Sequence, residues 1–79
     1  MKYDFIVLGA DGMQGLIVTK DLLQKGYSVL AADLYRTKIS RLLKQFKNAK
    51  AVFKYIDLRN VEKTIKLIKS SGADVVINC

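Results

Sequence analysis

Histidine and proline are absent from this 79-residue chain, and cysteine occurs once, as the last residue, Cys79. A lone cysteine cannot close an internal disulfide, and with no histidine beside it a His/Cys metal centre is excluded, so the expected setting is a reducing one and metal-binding residues are none. No apolar run is long. The stretch "FIVLGA" falls short of both a signal-peptide core and a membrane span, which gives a cytoplasmic reading with no membrane partner. Acidic residues are scarce, 7 against 14 basic ones, for a net charge of +7. What is present suits one small globular domain: 51% of the residues are hydrophobic and 27% charged. At this size the folded chain buries only about 60 to 65% of the surface it exposes when unfolded, so the core is thin.

The positive charge invites a nucleic-acid reading, and its placement argues against one. Arg36, Lys38, Arg41, Lys44 and Lys47 alternate with Ile39, Leu42, Leu43 and Phe46. That is the pattern of a helix with one dry and one wet face, and the basic residues read as the solvated face. No nucleic-acid partner is expected.

Hydrophobic periodicity divides the chain into seven alternating segments. "YDFIVL" (3 to 8) is a compact apolar run ended by glycine, as for a buried parallel strand. A helix follows from about Gly12 to Lys25, with Leu16, Ile17, Leu22 and Leu23 inward and Gly26 as its stop. "YSVLAAD" (27 to 33) is a second strand, Thr37 to Lys47 a second helix, and "AVFKYI" (51 to 56) a third strand. Asn60 to Ser70 reads as a third helix, with Asn60 as N-cap and Val61, Ile65 and Ile68 on one face. Gly72 breaks the chain before a fourth strand, "DVVINC".

Strands joined by helices of this length make right-handed βαβ crossovers. The expectation is an α/β fold, the first half of a doubly wound parallel sheet (βαβαβαβ), with strand order 3-2-1-4. Residues 1–79 then form the N-terminal part of one domain and read as a fragment of a longer chain, because a doubly wound domain adds two further strands.

The stretch "GADGMQG" sits between the first strand and the first helix. Backbone N–H groups in the first turn of a helix lack intrahelical partners and carry the positive end of the macrodipole, so a phosphate placed there gains hydrogen bonds. Gly9 permits the sharp turn, Gly12 lets a phosphate reach the backbone, and Gly15 allows close packing of the helix. The spacing is Gly-x-x-Gly-x-x-Gly, with Asp11 where a tighter loop has its middle glycine. Asp11 and Gln14 also match a capping box, in which the carboxylate takes the amides a phosphate needs. With a dinucleotide bound, Asp11 is expected to turn away from the pyrophosphate.

Other polar residues fall at the carboxyl ends of the strands, where open α/β sheets bind ligands. Asp33 ends the second strand and is placed to take ribose hydroxyls, or is a surface aspartate. Arg36 can hold a 2′-phosphate or lie over adenine, whereas Asp33 repels that phosphate, so NAD is favoured over NADP. In "DLRN", Asp57 either accepts from an adenine amino group, with the Leu58 backbone at the ring edge, or simply ends the strand. Asn78 and Cys79 would pass beneath the cofactor. Cys79 has no histidine to activate it and reads as a buried or terminal thiol.

With "VLGADGMQG", "AAD", "DLRN" and "ADVVINC" in register, the whole chain resembles the N-terminal NAD(P)-binding Rossmann domain of the saccharopine dehydrogenase and lysine dehydrogenase family. That resemblance implies an oxidoreductase moving hydride at an amine-bearing carbon. It implies that Gly9, Gly12, Met13, Gln14 and Gly15 hold the pyrophosphate, Asp33 and Arg36 the ribose, and Asp57 and Leu58 the adenine. A small-molecule substrate would then be bound beyond residue 79, and a homo-oligomer is admitted. "GADGMQG" and "DLRN" also resemble the extended short-chain dehydrogenase/reductase family, which includes nucleotide-sugar epimerases and reductases, although Leu8 stands where that family usually has threonine. That family's Tyr-x-x-x-Lys pair would lie past residue 79. A third likeness is to non-catalytic dinucleotide-sensing domains that regulate transport. No catalytic residue is expected within this stretch, which by itself should be inert.

Overall fold

A computed structural model describes residues 2–79 of the chain. The elements run β1 (Phe5–Leu8), α1 (Met13–Gln24), β2 (Val29–Asp33), α2 (Thr37–Gln45), β3 (Ala51–Tyr55), α3 (Val61–Ser71) and β4 (Val75–Asn78). All strand pairs are parallel and the order is β3-β2-β1-β4. This is the arrangement expected from the alternation of apolar runs and amphipathic stretches. Each helix must return the chain to the starting edge of the sheet, and a right-handed crossover does so on one face at a time.

The helices divide between the two faces and set two cores. On one, Val7, Val29 and Ala31 of the sheet pack with Leu22 and Leu23 of α1 and Ile39 and Leu42 of α2. On the other, Ile6, Leu8, Leu30 and Ala32 pack with Tyr3 and Ile56, and Leu67 and Ile68 of α3 close over them. Ile6, Val7, Val29 and Ile39 are fully buried, each worth roughly 1.5 to 3 kcal/mol relative to exposure. The second face has one helix over four strands. Val52 and Val76, in register with buried Leu30 and Ile6, are consequently 36% and 42% exposed.

Helix phase corrects two expectations. In α1 the buried set is Gly15, Thr19, Leu22 and Leu23, and Ile17 is 62% exposed. Two residues subtend about 200° on a helix, so a stripe through Gly15 and Thr19 places Ile17 on the far side. In α3 the inward stripe is Thr64, Leu67, Ile68 and Ser71, while Val61 and Ile65 face out. Small or polar residues hold inward positions in both helices, which a reading of apolar period alone does not see.

The helix ends follow the sequence more closely. Gly26 and Gly72 take positive φ, +87° and +62°, just past α1 and α3, and Asn60 caps α3 by accepting from the Lys63 N–H at 3.1 Å. At the amino ends of the two central strands Asp4 and Ser28 clip the starts of β1 and β2 together, each backbone N–H donating to the other's side chain.

Candidate functional site

The loop from Gly9 to Gly12 is held by backbone bonds before any side chain contributes. Gly9 has φ +80°, a conformation that disfavours any side chain. The N–H groups of Gly9 and Ala10 both donate to the Ala32 carbonyl, at 2.8 and 3.1 Å, and Gly12 N–H donates to the Gly9 carbonyl at 3.2 Å. The loop is thereby fastened to the end of β2. Beneath it, a Cβ on Gly15 would strike the Gly9 carbonyl oxygen and come within 2.6 Å of Ala10 Cα. A Cβ on Gly12 would meet only the Gly9 oxygen, at 3.5 Å. The third glycine thus lets helix and loop touch, and the second leaves the approach to the helix open.

The first backbone bond into α1 runs from Leu16 N–H to the Gly12 carbonyl at 2.9 Å. The amides of Met13, Gln14 and Gly15 stand ahead of it. Gly12 is the N-cap, makes no side-chain cap, and no acidic residue lies in the first turn. The positive end of α1 is therefore uncompensated within the described residues.

Asp11 does not form the capping box that its spacing with Gln14 suggests. Its Oδ1 accepts from the N–H groups of Lys38 and Ile39, at 2.8 and 2.7 Å, which are the opening amides of α2. The local pattern at 11 and 14 loses to a partner 27 residues away, because the turn at Gly9 carries the Asp11 side chain across the top of β2. The Asp11 N–H donates to Asp33 Oδ2 at 2.9 Å. Asp33 Oδ1 also accepts from Leu34 N–H at 2.6 Å and Tyr35 N–H at 3.3 Å. A carboxylate has about four lone-pair positions. Three backbone donors leave Asp33 room for one more, on Oδ2.

Around this pair the structure adds residues that the sequence did not single out. The Arg36 guanidinium lies over the Tyr55 ring, 5.6 Å from its centroid, and Tyr55 is the register partner of Asp33 across β2 and β3. This contact gives Arg36 a platform at the sheet edge. Asp57 is bonded to Arg59: Nε and the second terminal nitrogen reach Oδ1 and Oδ2 at 3.0 and 2.8 Å, and the Arg59 N–H adds a bond to Oδ1 at 3.0 Å. Leu58 between them is half-buried against the second core. At the other end of the site, Cys79 N–H donates to the Leu8 carbonyl at 2.9 Å, and its own carbonyl passes so close to Gly9 that a Cβ there would sit 2.8 Å away. The Cys79 thiol is exposed and free. Asn78 pairs in register with Leu8. Gly9, Asp11, Gly12, Met13, Gln14, Gly15, Asp33, Arg36, Asp57, Leu58, Asn78 and Cys79 thus all lie along the carboxyl ends of the four strands, the loops that follow and the first turn of α1.

The Arg59 side chain, and after it the Arg59 N–H, hold the Asp57 carboxyl down from 3.8 to about 2. The folded value is depressed, so the stabilisation is present above the unfolded carboxyl range, about 3.9, and is lost as pH falls through about 2. Arg59→Ala is expected to return the Asp57 carboxyl toward about 3.9, read by carboxyl-carbon NMR titration. A value still near 2 in that variant contradicts the pairing.

A concavity of about 910 Å³ opens at the amino ends of the strands, between Lys2, Tyr27, Phe46 and Lys50. It is remote from the glycine loop. Among the described residues no cluster of acidic or cysteine side chains could hold a metal ion, and no helix is long and apolar enough to cross a membrane.

Residues 5–79 match the model of the NAD dependent epimerase/dehydratase family. The chain belongs to that family. Of the resemblances drawn from the sequence, the match favours the short-chain dehydrogenase/reductase type over the saccharopine dehydrogenase type, and it supports the NAD(P)-binding Rossmann domain that both share. The crystal structure of serine dehydrogenase from Escherichia coli superposes with a TM-score of 0.74 at 18% identity, over 91% of this chain. That likeness shows the shared fold. This chain spans 35% of the length of that protein. A search of curated proteins gave no match.

Proposed function

We propose that this family member holds the ADP portion of NAD(H) across the carboxyl ends of its strands, and so forms the cofactor-binding part of an oxidoreductase of the epimerase or reductase type. One observation carries the reading. Asn60 caps α3 and Asp11 caps α2, whereas among the described residues the opening amides of α1 have no side-chain acceptor and lie beneath a glycine whose missing side chain leaves the approach clear. A pyrophosphate supplies the absent charge.

The residues present fit such a cofactor. Met13, Gln14 and Gly15 offer amides to the pyrophosphate, and Gly9 and Gly12 keep side chains away from it. Asp33 keeps one lone pair for an adenosine ribose hydroxyl. Asp57, Leu58 and Arg36 border the adenine position, with Asp57 shared between that base and Arg59. Asn78 and Cys79 run beneath the nicotinamide side. A bound nicotinamide supplies hydride transfer; the chain's own residues bind and orient. The family match supports an epimerase or reductase substrate over an amine-bearing one, and that substrate is contacted by residues other than these. The net charge of +7 adds general attraction for an anionic cofactor.

Calorimetric titration of the intact protein with NADH and with NADPH tests this. A 2′-phosphate a few ångströms from Asp33 costs roughly 1 to 2 kcal/mol at high dielectric, so NADH is expected to bind about tenfold more tightly. Binding of neither removes the reading. Tighter binding of NADPH removes the role given to Asp33.

A further inference from the structure

Asp11 is the one charged side chain in the glycine loop, and its carboxylate serves α2 instead of the helix it precedes. The nine-residue α2 has no acidic residue in its first turn, and Arg36 at its N-cap makes no side-chain cap bond. Left to itself, that helix end would present bare amides between two cations, Arg36 and Lys38. Amides at a positive helix end with arginine and lysine beside them form a phosphate site. This one adjoins Asp33, the residue assigned to the ribose, through the 2.9 Å bond from Asp11 N–H to Asp33 Oδ2. The protein fills it with a carboxylate of its own, half-buried and bonded to both amides.

We propose that Asp11 is a specificity-determining residue at the adenosine end: by occupying the opening amides of α2 it denies them to a 2′-phosphate and so reserves the site for the unphosphorylated dinucleotide. The proposal rests on the reading of Asp33 as the ribose acceptor. It goes beyond that reading by assigning part of the discrimination to a residue of the pyrophosphate loop. Repulsion from the Asp11 charge and the loss of two donors act in the same direction, and neither requires Asp11 to touch the NADH ribose.

Asp11→Asn separates charge from structure, because asparagine caps a helix about as well as aspartate. Asp11→Ala removes the acceptor as well, frees both α2 amides, and serves as the second variant. The unsubstituted protein and both variants are titrated with NADH and NADPH at low and high salt. The ratio of the NADPH to the NADH dissociation constant is expected to fall about tenfold in each variant at low salt, by less at high salt, with NADH affinity changed under about threefold. A purely structural role would weaken both cofactors alike and leave the ratio fixed. A ratio within twofold of the unsubstituted protein in a variant that still binds NADH overturns the assignment of Asp11 alone. Failure of the unsubstituted protein to bind either dinucleotide overturns the cofactor reading and this proposal together.

Discussion

Gly15→Ala is expected to lower the stability of the protein by roughly 3 kcal/mol, at the upper end of what overpacking by one methyl group costs. The added Cβ would collide with the Gly9 carbonyl oxygen and lie 2.6 and 2.9 Å from Ala10 Cα and C, all of them backbone atoms. Those atoms cannot yield cheaply. Gly9 and Ala10 both donate to the Ala32 carbonyl and Asp11 donates to Asp33, so moving the loop breaks its attachment to β2, and moving α1 withdraws Leu22 and Leu23 from the core. For a domain of this length such a loss lowers the melting temperature by about 10 to 20 °C. A shift of under 2 °C would mean that α1 does not rest on the loop. Gly26→Ala is the control: its Cβ meets nothing within 4 Å, and only the cost of its positive φ, about 1 kcal/mol, remains.

Gly12→Val reverses that pattern, with little effect on folding and a large one on binding. Gly12 sits at φ −75° and ψ 166°, extended backbone that valine adopts readily, and its Cβ has only an ordinary contact at 3.5 Å. The valine methyl groups would cover the amides of Met13 and Gln14. Losing one or two charge-assisted hydrogen bonds costs roughly 3 kcal/mol, so the dissociation constant for NADH should rise about 100-fold, while stability moves by under about 1 kcal/mol. Unchanged affinity in a normally folded variant would place the dinucleotide elsewhere. The two substitutions, three residues apart, distinguish a glycine kept for packing from one kept for access.

The same loop shows how far the sequence could be read. The strand order and crossovers follow from patterns that short windows carry: apolar runs of strand length, amphipathic helices, and glycine or asparagine at their ends. The Asn60 cap was visible for that reason, since its partner lies three residues on. Asp11 was not. Its spacing to Gln14 satisfies a local rule, but its actual partners lie 27 and 28 residues away and depend on how the loop crosses β2. Tyr55 escaped notice because its importance comes from register opposite Asp33 and from the Arg36 group above it. Arg59 carried a signal two residues from Asp57 that a search for cofactor ligands passes over, because it satisfies the carboxylate instead of leaving it free. The exposed Ile17 reflects a stripe whose anchors, Gly15 and Thr19, are not apolar in the usual sense.

The choice of family was less legible for a different reason. "GADGMQG" and "DLRN" resemble loops found in many dehydrogenases, and a loop placed to meet a shared cofactor carries little information about the substrate. The fold is therefore written in these strands, whereas the distinction between an amine dehydrogenase and an epimerase rests on the match of residues 5–79 as a whole.

The central claim, that the bare amides opening α1 bind the pyrophosphate, is tested most directly by titrating the ¹⁵N-labelled protein with NADH and following its backbone amide resonances. The largest shifts are expected at Met13, Gln14 and Gly15, followed by Asp11 and the residues after Asp33, with Lys2, Tyr27 and Lys50 at the far end of the sheet unmoved. Shifts centred on that far concavity, or none in the glycine loop at saturating NADH, would contradict it.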